Sequence, residues 1–299
     1  MSGVLGAEAA PPKGTPLGPG VRRWSLMLLL LAMLGGCSPR FVYGWLDWII
    51  PWQVDDYVSL NSAQEGALDK MIERQLRWHR RHELPLYLDH LNSVRRDIEG
   101  PLTEQQVLAQ MSRASDHWYR LFEHLLPDLV PLIQSLSDEQ VEEMLLQIAK
   151  EDRELREKYA DMTLEQRIKR ANKSMNKSLK KWLGPLSPSQ KAVIDNYNRN
   201  RHSTLELWLA YRADWYTHFS DALRHRADTE KLERELTLLL VTPNELRGER
   251  YLEKIQANRQ QLARGLIQIH ASLSGRQQSK LERKLDDLAE DLEYLIGKD

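Results

Sequence analysis

The sequence predicts an all-α protein, an elongated multi-helix bundle, and three observations lead to this fold class. Only eight of the 15 glycines follow Cys37, so glycine makes up about 3% of the later chain against an average near ~7%. A five-residue motif typical of helix starts recurs along the chain. Apolar residues behind these starts repeat every three or four positions, and the alternation typical of strands is absent.

The recurring motif has Leu or Met first, Ser, Thr or Asn second, and Gln fifth. The second residue can cap a helix N-terminus, and the Gln can reach back to the backbone N–H of that residue, which completes a capping box. The six copies are Leu60–Gln64, Leu102–Gln106, Leu136–Gln140, Met162–Gln166, Leu186–Gln190 and Leu273–Gln277. A seventh start of the same type, with Glu in place of Gln, is Thr242-Pro243-Asn244-Glu245.

The starts, the apolar spacing and the helix breakers together predict the elements in order. The last helix shows the clearest seam, because its leucines alternate steps of four and three from Leu281 to Leu295. Breaks are expected at Pro85, Gly100-Pro101, Pro127, Pro131 and Gly184-Pro185. The predicted helices lie near 61–82, 84–98, 103–126, 137–160, 163–183, 187–226, 229–241, 243–271 and 274–296.

The N-terminal segment, 1–36, reads as a lipoprotein signal peptide. Two arginines precede an apolar run of eleven residues from Trp24 to Leu34, which is too short to span a bilayer as a helix. Leu34-Gly35-Gly36-Cys37 follows and resembles the bacterial lipobox, whose Cys is acylated and becomes the mature N-terminus. Since Cys37 is the single Cys of the chain, we expect lipidation there, for example with palmitate. An uncleaved anchor, or a chance Cys after an ordinary signal peptide, is the alternative.

A lipidated, aromatic-rich tether, 37–58, is expected next. Aromatic rings favour the headgroup region of a bilayer, so this segment can lie against the membrane or dock onto the helical body. The residue directly after Cys37 is Ser38 rather than the Asp that retains many lipoproteins in the inner membrane, so the lipobox resemblance implies the periplasmic face of the outer membrane. Its aromatic and isoleucine residues crowd into positions 41–52, where they are Phe41, Tyr43, Trp45, Trp48, Ile49, Ile50 and Trp52.

The helical domain, 59–299, repeats its order of parts. A capped helix leads through an aromatic segment to a closing capped helix within 59–160, and the same order returns within 186–299. The two halves would be tandem helical hairpin units joined by the basic helix 163–183. The alternative is that any helical bundle repeats its caps.

The most distinctive local segment runs from Trp78 to Tyr87. His79 and Glu83 share a helical face at i, i+4, but no third ligand has diagnostic metal-binding spacing. We therefore expect a structural role, with Trp78 and Tyr87 packed and Arg80 paired with Glu83, and we keep an interaction surface as the second interpretation. We expect no catalytic, metal or cofactor site, because the sequence shows no nucleophile elbow and no phosphate-binding glycine loop.

The helix 163–183 is basic on one face. Seven cations and no acid lie between residues 167 and 181, so this face, with Lys173, Lys177 and Lys180, could contact anionic headgroups. The favoured prediction is that the acidic helix 137–160 folds back on it and neutralises both. With 42 basic and 43 acidic residues, the chain is not expected to bind nucleic acid through bulk charge.

Several of these segments together resemble an uncharacterised family of gammaproteobacterial lipoproteins. They are the lipobox, Trp45-Leu46-Asp47-Trp48, Asp55-Asp56-Tyr57, the Trp78–Tyr87 segment and the last Leu-Ser-x-x-Gln helix. The resemblance implies location and domain extent but no activity. Separately, the recurring motif resembles the Leu-Thr-x-x-Gln motifs of the periplasmic chaperones Spy and CpxP, which implies an all-helical, non-enzymatic client binder.

Three functions follow in order of expectation. The first is an outer-membrane-anchored periplasmic lipoprotein that acts as a non-catalytic helical interaction or envelope-maintenance module. The second is a chaperone-like client binder, and the third is an envelope hydrolase. The expected partners are the membrane, through the N-terminal lipid, and an envelope protein or an unfolded client.

Overall fold

A computed structural model describes residues 39–298, and most of these residues lie in helices. No residue between 39 and 298 lies in a β-strand, which confirms the all-α prediction. Within the same part of the chain, no helix combines the length and the apolar character needed to span a bilayer.

The helices follow one another with short connections. They are α1 (Pro39–Tyr43), α2 (Leu46–Val54), α3 (Ser62–Trp78), a π-helical turn (His79–Glu83), α4 (Leu84–Ile98), α5 (Glu104–Gln134), α6 (Asp138–Ala160), α7 (Leu164–Leu183), α8 (Pro188–Asn200), α9 (Leu205–Arg224), α10 (Thr229–Leu240), α11 (Pro243–Leu246), α12 (Glu249–Ala271) and α13 (Gly275–Ile296).

Capping boxes begin α3, α5, α6, α7, α8 and α13, at the six predicted motif copies. In each, the Asn, Ser or Thr side chain accepts from the N3 backbone N–H, and the Gln side chain accepts from the N-cap N–H. The seventh start differs, because Thr242 makes no side-chain cap and leads only into the single turn of α11.

Four motif glutamines meet in two reciprocal pairs. The amides of Gln64 and Gln140 donate to each other at 3.0 and 2.8 Å, and those of Gln190 and Gln277 at 3.0 and 2.9 Å. Each amide also donates to the carbonyl two residues before its partner's N-cap. The accepting carbonyls belong to Ser135, Ser59, Ser272 and Pro185. One pair lies within 59–160 and the other within 186–299, so equivalent joints recur in both.

Three of the predicted breaks are wrong. Pro127 and Pro131 lie inside α5, which continues to Gln134 because neighbouring apolar side chains pack into the core and offset the lost backbone hydrogen bonds. At Pro85 the helix does not end but widens into the π-turn. In that turn the Leu84 N–H bonds to the His79 carbonyl, five residues back, so the chain continues through a residue that has no N–H.

Two predicted long helices are interrupted. The one near 187–226 breaks between α8 and α9, where Asn258 of α12 bonds both the N–H and the carbonyl of His202. The one near 243–271 is divided into α11 and α12. The first break depends on a partner 56 residues away, so the local apolar spacing does not reveal it.

The two predicted halves are interleaved. Helix α4 packs along α13, α5 along α10 and α12, and α6 along α9. The largest buried cluster accordingly joins Val141 and Leu145 of α6 to Leu232 and Leu236 of α10. The predicted tether also belongs to this body, because α1 packs on α13 and α2 packs on α3.

Candidate functional site

The π-turn organises a buried polar cluster. Because this turn holds one residue more than an α-helical turn, Glu83 and Leu84 both face the interior, and each residue is only 1% exposed. π-Turns inside α-helices occur frequently at functional sites. Polar side chains of α1, α4 and α5 surround this turn.

The carboxylate of Glu83 is held by α5. Arg120 donates to its two oxygens at 2.9 and 3.3 Å, and the same guanidinium donates to Nδ1 of His117 at 2.6 Å. Nε2 of His117 lies 2.9 Å from Nδ1 of His90 on α4. Burial, followed by the positive charge of Arg120, lowers the pKa of His117, so this imidazole is neutral at pH 7 and can accept from the guanidinium.

His79 is held between two tyrosines on the other side of the turn. Its Nδ1 lies 3.2 Å from the Tyr43 hydroxyl, which donates to the Leu76 carbonyl, and its Nε2 lies 3.3 Å from the Tyr87 hydroxyl. Burial lowers the pKa of His79 to about 4 and raises that of Tyr87 to about 12. At pH 7 the group is therefore neutral and bonds α1, the π-turn and α4 together.

The structure changes one predicted role in this segment. Arg80 does not pair with Glu83, because the π-turn directs Glu83 towards Arg120, whereas Arg80 lines a surface cleft beside Tyr43. Trp78 packs as expected, but its ring stacks on His124 of α5 at 3.7 Å, at the edge of an open groove of about 580 Å³.

Among residues 39–298, no three His, Cys, Asp or Glu side chains come together as a metal site.

Sequence spacing missed Arg120, His117 and His90 as members of the cluster. The first two lie more than 30 positions from Glu83, and no local pattern marks them.

A second candidate surface is the basic face of α7, which comprises Lys169, Arg170, Lys173, Lys177, Lys180 and Lys181. All six are exposed, and none forms an ion pair with any residue that the structure describes. The opposite side of α7 is buried, with Ile168 and Leu183 in the interior and Met175 and Leu179 against a core cluster.

The predicted neutralisation of α7 by the acidic helix α6 is wrong. Helix α7 packs on α8 and α13, and α6 packs on α9. The carboxylates of α6 pair instead with arginines on or just after α9, namely Asp152 with Arg212, Glu142 with Arg224, and Asp138 with Arg226. Charge counts of consecutive helices could not show this, because they do not tell which cations approach α6.

The third candidate surface, which we name the aromatic ladder, comprises Phe41, Trp45, Trp48 and Trp52. Successive rings lie 6.0, 6.4 and 6.1 Å apart, and the last two are parallel within 3°. The four residues are 40–62% exposed, although the other side of α1 and α2 buries Tyr43 and Leu46. The segment thus docks on the helical body and presents a row of aromatic rings to solvent, which combines the two alternatives that its sequence left open.

The predicted lipidation site, Cys37, and the signal peptide lie outside the described residues. Lys173, Lys177 and Lys180 belong to a surface separate from the cluster of Trp78, His79, Glu83 and Tyr87.

Comparison with known proteins gives one match. A family of unknown function, DUF6279, matches residues 56–252. No curated protein and no solved structure matches the chain. The matched region contains the π-turn with Glu83 and Arg120, and α7. It excludes Tyr43, the aromatic ladder, most of α12 and all of α13. Because the match covers more than half of the sequence, the chain belongs to the DUF6279 family of unknown function.

Proposed function

We propose that the protein is an outer-membrane lipoprotein, acylated at Cys37 and facing the periplasm, whose helical domain is a non-catalytic interaction or envelope-maintenance module. The observation that carries this proposal is the aromatic ladder. It begins four residues after the lipobox Cys, and its rings are exposed to solvent on helices that are themselves docked.

Such a row of exposed rings needs an apolar or interfacial partner. Soluble proteins rarely expose contiguous aromatic surface without a binding role, and Trp in particular favours the headgroup region of a bilayer. Pro39, where the described chain begins, is two residues from Cys37 and therefore within about 7 Å of it along the backbone. Acyl chains on Cys37 would hold the ladder at the membrane surface, where its rings can pack into the headgroup region.

The exposed apolar residues favour an interaction module over a chaperone-like client binder. Outside the ladder, the large exposed apolar residues between positions 39 and 298 lie one each on five helices and are Leu86, Trp118, Leu146, Leu164 and Tyr294. A client-binding surface would gather such residues into one concave patch. Two observations support the outer membrane as the location. The residue directly after Cys37 is Ser38 rather than Asp, and the sequence resembles gammaproteobacterial lipoproteins.

Fractionation of cells tests the anchor. Cys37→Ala is expected to release the protein from the outer-membrane fraction or to leave an unprocessed precursor. Unchanged outer-membrane partition with a mature mass would contradict the proposal.

Quenching by brominated acyl chains tests the ladder in the full protein reconstituted into vesicles. We expect quenching of tryptophan fluorescence to fall when Trp45, Trp48 and Trp52 are replaced together by Phe. Trp118→Phe is the matched control, because this exposed tryptophan lies on α5, outside the ladder, and should leave the quenching unchanged. Equal effects of the two changes would refute a membrane role for the ladder.

A further inference from the structure

We infer that the basic face of α7 binds the anionic phosphate headgroups of the leaflet in which the protein is anchored. This inference rests on the proposed function for the location of the protein. It adds a second contact with the membrane, formed by lysine and arginine side chains rather than by acyl chains or aromatic rings.

The first observation is the unbalanced charge of this face. The acidic residues near α7 are already paired, since Glu165 and Asp195 both bind Arg199. The six exposed cations are therefore not offset by a carboxylate partner within residues 39–298. Lys280 of α13 adds a further ammonium group beside the last turn of α7, where it donates to the Lys180 carbonyl at 3.4 Å.

The second observation is that α7 and α1 contact the same side of α13. Lys280 contacts the end of α7, and Asp291 forms an ion pair with Arg40 of α1. These two residues are eleven positions apart, which is about three helical turns, so they share one side of α13 at roughly 16 Å separation. The basic face thus ends near the helix on which the aromatic ladder begins.

A third observation extends the positive surface towards the ladder. A cleft of about 450 Å³ between α1, the π-turn and the end of α13 is lined by Arg80 and Lys298, and by Arg40, whose charge is balanced by Asp291. Phe41 of the ladder lines the same cleft. Cations therefore occur beside the ladder as well as along α7.

These contacts favour a lipid headgroup surface over other polyanions. The apolar side of α7 is already used in the core, so the helix cannot insert and offers only its charged side. Each basic residue near an anionic leaflet attracts it over about one Debye length, roughly 8 Å at physiological salt. A protein held there by Cys37 and the ladder, with the shared side of α13 along the leaflet, would bring the basic face of α7 within that range.

The test uses the mature chain without acyl groups, that is, residues 37–299 with Cys37→Ser. The four buried clusters of the structure lie entirely within this chain, so it keeps every core contact described above. Co-sedimentation is measured with vesicles of phosphatidylethanolamine and phosphatidylglycerol, and with phosphatidylcholine vesicles for comparison. We expect tighter binding to the anionic vesicles, and weaker binding as salt rises from about 0.01 to 0.15 M.

Two charge-reversal variants localise the effect. The α7 variant combines Lys173→Glu, Lys177→Glu and Lys180→Glu. The control variant combines Lys70→Glu, Arg153→Glu and Arg234→Glu, which change the net charge by the same amount. These three exposed cations lie on α3, α6 and α10 and form no ion pair with described residues. We expect the α7 variant to bind anionic vesicles more than about tenfold more weakly, at an unchanged melting temperature, and the control variant to lose much less.

Several results would overturn the inference. They are an equal loss in both variants, salt-independent binding, or binding by wild type to phosphatidylcholine that equals its binding to anionic vesicles. If the α7 variant unfolds, the milder set Lys173→Gln, Lys177→Gln and Lys180→Gln replaces it, and unfolding of that set would show a structural role instead. Since the assay does not use Cys37, its failure leaves the acylation proposal standing, and a failure of acylation leaves the vesicle result standing.

Discussion

Removing Arg120 should destabilise the protein more than removing any comparable surface arginine. Arg120→Ala takes away the group that donates to both oxygens of Glu83, whose side chain is 2% exposed. The remaining neighbour is His117, whose Nδ1 lies 3.6 Å from the carboxylate; burial, the largest cause of its lowered pKa, persists when the charge of Arg120 is removed. A buried carboxylate would then lack a counter-charge.

The expected loss of unfolding free energy follows from this geometry. Breaking a buried ion pair by removing one partner typically costs about 3–5 kcal/mol. Arg120 itself is 38% exposed, so its truncation opens a path for water to Glu83, and we expect the lower end, about 3 kcal/mol. For a chain of this size, that loss corresponds to a decrease of about 6–12 °C in melting temperature.

Chemical denaturation followed by circular dichroism measures the effect. The control is Arg113→Ala on the same helix, because Arg113 pairs with the 64% exposed side chain of Asp89 and should cost at most about 1 kcal/mol. Adding Glu83→Gln to Arg120→Ala should recover part of the loss, since it removes the unpaired charge. Equal losses for the two arginine variants would refute the reasoning.

The remaining predictions concern the caps, the glutamine pairs and pH. Ser187→Ala should cost about 0.5–2 kcal/mol in thermal unfolding, the usual loss for an N-cap, and no loss would mean that Ser187 contributes no capping energy. Gln190→Leu should cost about 1–3 kcal/mol more than Gln166→Leu, because Gln190, unlike the exposed Gln166, exchanges two hydrogen bonds with the buried Gln277; equal losses would contradict this. The folded pKa of His79 lies below its unfolded value, so the unfolded chain binds more protons and stability should fall from pH 6.5 to about 4, by roughly 3 kcal/mol. His79→Gln should flatten this slope, and an unchanged slope would exclude His79 as its source.

Local chemistry was predictable from the sequence. The six caps were found because each needs only two residues three positions apart, for example Ser187 and Gln190. The aromatic ladder was also visible as a cluster of residues. Its exposure was not, because the alternatives of membrane contact and docking depend on which rings face the helical body.

Interactions between distant residues were not predictable. The pairing of Glu83 with Arg120 joins residues 37 positions apart, and the break at His202 depends on a partner 56 positions away. The π-turn at His79 is a backbone geometry that no composition pattern marks. The continuation of α5 through Pro127 and Pro131 has the same origin, since tertiary packing outweighs the local cost of proline.

The central claim is that acylation at Cys37 holds the protein at the membrane, and mass spectrometry of the mature N-terminus tests it most directly. Protein purified from the membrane fraction is digested, and its N-terminal peptide is measured. The proposal predicts a peptide that begins at Cys37 and carries the added mass of fatty acyl chains. A mature N-terminus elsewhere, or a Cys37 without acyl groups, would contradict it.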